Sequence, residues 1–178
     1  MQKTNTTPLE IEQLRRRLKS SKRRGRYAVH RLATLINMIE GWRARPIPSS
    51  GAGKISQLNV FPDLEATNDE LGIYMAVEVK SSRRNFIYVE RPTQILKLFQ
   101  TMNLFGRYPK RFAVLACHFG KVWRFMILRG FQAKFHYIAV RRHWKKPGIF
   151  QSLEELLSIL AKDTTIYFTP KTEKTDFS

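Results

Sequence analysis

Between residues 60 and 90, apolar side chains recur at every second position in "VFPDLEA", "IYMAVEVKSS" and "NFIYVE". That period belongs to strands with one face turned toward a core. No other feature restricts the fold as much, because three strands in succession demand a sheet, and "TNDELG" supplies a polar turn between the first two. Alternation along the second strand puts Tyr74, Ala76, Glu78 and Lys80 on one face and Met75, Val77 and Val79 on the other. A carboxylate and an ammonium therefore share a face of the most apolar stretch. If "FPDLEA" pairs alongside, Asp63 meets Glu78.

The surrounding segments read as helices and further strands. Pro8 suits the first position of a helix, and "LEIEQLRRRLKSSKRR" spaces Leu9, Leu14 and Leu18 among basic residues, an exposed basic helix. Gly25 is expected to interrupt it. "RYAVHRLATLINMIEGW" then sets Val29, Leu32, Leu35, Ile36 and Ile39 on one helical face until Gly41. "RARPIPSSGAGKISQLNVFP" is rich in proline and glycine and reads as an extended piece and a loop. "PTQILKLFQTMNLFG" returns to helical spacing and stops at Gly106, and "RFAVLACHF" and "KVWRFMILRGF" form a hairpin around Gly120. "KFHYIAVRRHW" reads as an edge strand, and "SLEELLSILAK" opens with Ser152 and Glu155 at capping-box spacing. The expected fold is α/β, a mixed central sheet of about five strands flanked by helices. A basic helical extension over 1–21 precedes one domain over 22–165, and 166–178 reads as a disordered tail.

Composition narrows the partners. The chain has 32 Lys and Arg against 14 Asp and Glu, a net charge of +18, yet 43% of its 178 residues are apolar, which excludes a disordered protein. A folded, strongly cationic surface points to a polyanion, nucleic acid first. Arg15, Arg16, Arg17, Lys19, Lys22, Arg23 and Arg24, with Arg83 and Arg84 beyond the charged strand, are the expected DNA-binding residues, reading backbone and shape more than bases. The single cysteine, Cys117, excludes an internal disulfide and reads as a buried small hydrophobe. No apolar run approaches the ~18 residues of a membrane span, and the N-terminus lacks a signal-peptide core. The expected location is the cytoplasm, with the nucleoid or, for a viral protein, in the host cell.

Several other signals fall away. "PSSGAGKIS" imitates a phosphate loop, but Pro48 stands in place of the first glycine and Ile55 in place of Ser/Thr. The four histidines and one cysteine show no zinc spacing. Trp123, Phe125 and Phe131 read as strand core before base-stacking residues.

Two carboxylates brought together repel unless a proton or a divalent cation lies between them. Mg²⁺ is held by one or two carboxylates with water and substrate phosphate, and a bound cation makes its water a nucleophile. Lys80 beside Asp63 and Glu78 then orients that water or balances charge developing on phosphorus, which is phosphodiester hydrolysis. "EVK" alone favours an ordinary ion pair on a wet strand face, since short charged patterns recur by chance; its company, Pro62-Asp63 and a basic chain, favours chemistry.

The same residues carry a resemblance. "PD" followed by "AVEVKSS", "IYV", a helix and the hairpin "FAVLACHFGKVWRF" resembles the PD-(D/E)xK nuclease superfamily and, within it, the archaeal Holliday-junction resolvases, Hjc, from about residue 22 to 127. "RRGRYAVHR", "EGW" and "PIPSSG" resemble the family's first helix, its terminal glycine-aromatic pair and its serine-containing loop. The resemblance implies a homodimeric endonuclease acting on four-way DNA in recombination and repair with Mg²⁺ or Mn²⁺. In it Asp63 and Glu78 are metal ligands, Lys80 is the catalytic lysine, and Ser50 is a loop serine close to the scissile phosphate. It also marks a departure: His30 stands where the family carries a glutamate, as a metal ligand or catalytic group of a different kind, with Glu40 and Glu65 as weaker replacements. The rival readings are a catalytically weak architectural DNA-binding protein of the same fold and a flap- or end-directed nuclease.

Overall fold

The computed structural model describes residues 8–47, 61–128 and 137–163. Three helices, α1 (Pro8–Asn37), α2 (Arg91–Leu104) and α3 (Leu153–Lys162), accompany eight strands. The strands are β1 (Trp42–Pro46), β2 (Leu64–Asn68), β3 (Ile73–Ser81), β4 (Phe86–Glu90), β5 (Lys110–Phe119), β6 (Val122–Leu128), β7 (Tyr137–Arg141) and β8 (Ile149–Phe150). Six of them form one mixed sheet in the order β1-β2-β3-β5-β6-β8, and β4 and β7 form a second sheet of two strands.

The period-two reading of the centre is observed directly. β2 pairs antiparallel with β3, joining Leu64 to Val77 and Asn68 to Ile73 across the polar turn. β3 then pairs parallel with β5, placing Glu78 beside Leu115 and Lys80 beside Cys117. A parallel neighbour requires a crossover, and β4 with α2 provides it. β5 returns antiparallel into β6 through Gly120, whose φ of 73° suits a residue with no Cβ.

Because β3 and β5 are covered on both sides, their two faces feed two cores. Met75, Val77, Val79, Phe112, Val114 and Ala116 meet Leu32 and Ile36 of α1 and Leu153, Leu156, Leu157 and Leu160 of α3. Tyr74, Ala76, Ala113, Leu115 and Cys117 meet Ile95, Leu98 and Met102 of α2 and Ile87, Val89, Ile138 and Val140 of the small sheet. Each fully buried Leu or Ile contributes about 1.5–3 kcal/mol. α3 begins as its sequence indicates, with Ser152 Oγ accepting the Glu155 N–H at 3.1 Å.

Three expectations change. Gly25 does not interrupt: α1 runs through it unbroken, since a helix tolerates one glycine at a cost of about 1 kcal/mol. The strand from "KFHYIAVRRHW" does not edge the main sheet but pairs with β4, Phe86 opposite Arg141. The main sheet has six strands instead of about five, because "WRARP" pairs with β2 and Ile149–Phe150 adds a short outer strand. Phe131, the "PSSGAGKIS" segment and the expected tail over 166–178 lie outside the described residues.

Candidate active site

Asp63 sits just before β2, fixed by its own backbone. Its N–H donates to Val77 O at 3.1 Å and its carbonyl accepts the Ile47 N–H at 3.1 Å, so the chain is tied to both neighbouring segments. Its side chain turns back to β3, where Oδ2 accepts the Val79 N–H at 2.9 Å. Burial, and then the negative charge of Glu78, raise its pKa above the usual carboxylate value, opposed by the Val79 N–H and by Lys97 and Lys80. The two acids thus stand close enough to repel.

Glu78 is 2% exposed, and a buried carboxylate needs compensation. Oε1 lies 2.7 Å from Lys80 Nζ, the neighbour two residues along the same strand face. Oε2 lies 2.6 Å from Lys97 Nζ, brought in by α2. That second contact is an ion pair out of line for a hydrogen bond: Oε2 is buried and accepts none. Alternation therefore placed Asp63, Glu78 and Lys80 near one another, as they are in the structure, and did not point to Lys97, whose one signal is a charge at the edge of the apolar stripe Ile95, Leu98, Met102.

These residues fit a hard divalent cation. Mg²⁺ and similar ions take all-oxygen ligands, often only one or two from carboxylates. Here a repelling carboxylate pair includes a buried oxygen that accepts no hydrogen bond. Among the described residues no group of three or more His, Cys, Asp or Glu converges on one point, so the site offers two acids rather than a full protein cage.

The other candidates are placed as follows. His30 is exposed on α1, its carbonyl accepting the Thr34 hydroxyl at 3.1 Å. Glu40 is exposed beyond the helix end. Glu65 is 5% exposed and engaged, with Oε2 accepting from Arg45 Nε and Nη2 and Oε1 accepting from the Tyr74 hydroxyl. Ser50 lies outside the described residues. Arg15, Arg16, Arg17 and Lys19 lie on the first turns of α1. Lys22, Arg23, Arg83 and Arg84 are exposed, and Arg24 is half-buried with Nη1 donating to Ser20 Oγ at 2.7 Å. Beyond β3, Arg84 lies over the exposed Phe86, 6.0 Å from the ring centroid, and Phe86 meets Tyr88 edge-on. Trp123 and Phe125 are buried, as core readings of them require, and so is Cys117, whose thiol burial pushes up to about 12.

Comparisons with known proteins bear on the family and the fold. The family model of the archaeal Holliday junction resolvase (Hjc) matches residues 20–164. Among solved structures, the chain is similar to Archaeoglobus fulgidus Hjc, a Holliday junction resolvase from an archaeal hyperthermophile, at 19% identity and a TM-score of 0.51. That likeness covers 66% of this chain and 88% of the other. None of the curated proteins matches. No helix among the described residues is long and apolar enough to cross a membrane.

Proposed function

The chain belongs to the archaeal Holliday junction resolvase family, and from that membership we propose that Asp63, Glu78 and Lys80 form the centre with which it cuts four-way DNA. The observation that carries this assignment is the mutually repelling carboxylate pair, half-buried Asp63 and buried Glu78, with Glu78 bridged to Lys80 at 2.7 Å. The family's activity is that of a divalent-metal-dependent endodeoxyribonuclease.

Asp63 and Glu78 are the residues that would hold the metal, Mg²⁺ or Mn²⁺. Bound there, the ion would supply a nucleophilic water at neutral pH and neutralise charge on the phosphate. Lys80 holds the Glu78 carboxylate at 2.7 Å and would present an ammonium to the reacting phosphate, where negative charge grows in the transition state. The sheet supports this geometry: β3 pairs with β5 along its whole length, and just past the end of its pairing with β2 at Val77 the Asp63 carboxylate accepts the Val79 N–H.

His30 and Ser50 are assigned by their alignment with the family's helix glutamate and loop serine. Exposed Lys22, Arg23, Arg83 and Arg84, with the cations on the first turns of α1, supply contacts to phosphates, and a symmetric homodimer supplies two centres for two nicks. The protein acts in the cytoplasm where its DNA lies.

A labelled four-way junction, beside duplex and flap substrates of the same sequence, tests the reading. The expected result is paired nicks in opposed strands of the junction, dependent on Mg²⁺ or Mn²⁺. Junction binding without cleavage favours the architectural role, and preferential cutting of the flap favours an end-directed nuclease.

A further inference from the structure

The catalytic strand explains one of the two ammonium groups on Glu78 and leaves the other. Lys97 comes from α2, seventeen positions beyond Lys80, and reaches across the sheet face to Glu78 Oε2 at 2.6 Å. Its side chain is only 17% exposed. Burying a lysine is costly unless its charge is matched, so its place in this site calls for a reason.

Charge accounting supplies one. Asp63 and Glu78 carry two negative charges and Lys80 and Lys97 two positive ones, so the ionised quartet is neutral. A divalent cation added to that quartet would leave an excess of +2 in a partly buried site. A cation bound to Glu78 Oε2 would also share that oxygen with an ammonium 2.6 Å away. Like charges held that close in a partly buried site repel strongly.

The two lysines are not equivalent in this competition. Lys80 belongs to the same strand as Glu78 and faces Oε1. Lys97 stands at Oε2, the buried oxygen that accepts no hydrogen bond, and it hangs on a flexible four-carbon stem from a separate element. The Lys97 contact can open by rotation of its own stem, leaving the Lys80 contact and the catalytic strand in place.

We propose that Lys97 is the built-in counter-ion of the carboxylate pair, occupying the cation's side of Glu78 and giving way when a divalent metal binds. Lys97 is thus a positioning residue: it holds the Glu78 carboxylate in place in the absence of metal and sets how much metal is needed to load the site. Displaced, its charge remains at the mouth of the site, where a phosphodiester brings one negative charge. The inference rests on the reading of Asp63 and Glu78 as the metal-holding pair.

Mn²⁺ titrations of the full-length protein by calorimetry test it, with Lys97→Met, Lys97→Gln, Lys97→Arg and Glu78→Gln compared at fixed pH and ionic strength. Lys97→Met and Lys97→Gln are expected to bind Mn²⁺ about tenfold or more tightly than the natural chain. Lys97→Arg, which keeps the charge, should stay close to it. Thermal melts supply the second readout: without metal Lys97→Met should melt below the natural chain, and saturating Mn²⁺ should raise its melting temperature by more. A variant that folds only with Mn²⁺ supports the proposal in the same way. Unchanged or weaker Mn²⁺ affinity in both neutral variants, or failure of both to fold even with Mn²⁺, overturns it. Glu78→Gln separates the two readings: lost Mn²⁺ binding there leaves the carboxylate pair standing whatever Lys97 does, and undiminished binding overturns both.

Discussion

Side chains that face one another across two elements decide this site, and they differ in how openly the sequence announces them. Asp63, Glu78 and Lys80 are legible because strand alternation fixes their face and one hairpin brings them together. Lys97 is not, because its contact with Glu78 depends on how α2 crosses the sheet, which no local period encodes. Glu65 teaches the reverse: it shares the parity of Asp63, yet Arg45 and Tyr74 hold its carboxylate, so parity alone does not make a ligand. His118 carries a pH-dependent consequence. Burial, reinforced by the charge of Arg31, lowers its pKa below the usual 6.5, and its buried Nε2 has no hydrogen-bond partner. The unfolded chain therefore takes up this proton first as the pH falls. Stability from the neutral ring is complete above about pH 6.5 and is lost progressively below it, until the folded-state value is passed. His118→Phe keeps a ring against Trp123, 4.5 Å away in the natural chain, and should flatten this part of the acid limb in urea melts taken across pH. An unaltered limb would assign the acid sensitivity to other groups.

At the scale of elements, the strands and helices followed from period and punctuation, whereas their partners did not. Hydrophobic alternation in "KFHYIAVRRHW" announces a strand but not which strand it pairs with, and the observed partner is β4. Gly25 misled for an energetic reason: the glycine penalty is small beside the packing of Ala28, Leu32 and Ile36 against the sheet, so the helix continues. That penalty is recoverable. A Cβ at Gly25 meets nothing within 4 Å, and the residue is helical. Gly25→Ala should therefore stabilise the protein by about 0.5–1 kcal/mol, read as a higher urea midpoint at unchanged m-value. A lower midpoint would mean that this part of α1 is not a continuous helix in solution.

Across the whole molecule, the charge and the chemistry are kept apart. The net charge of +18 includes exposed clusters such as Lys22 with Arg23 and Arg83 with Arg84, while the formal charges of Asp63, Glu78, Lys80 and Lys97 at the candidate site cancel. A cationic surface can hold many phosphates through long-range attraction, whereas the proposed hydrolysis rests on a partly buried constellation toward the end of β3. Binding and cutting should therefore be separable by substitution. The mixed sheet flanked by helices was legible from the order of periodic segments, and the separate β4–β7 sheet was not, since its pairing spans the crossover. The most direct measurement compares Asp63→Asn and Glu78→Gln with the natural chain on a labelled four-way junction, scoring nicking and retention of the complex together. The account predicts that both variants lose nicking while holding the junction with little change in affinity, because each removes an acid and no cation. Nicking retained in both variants would contradict it.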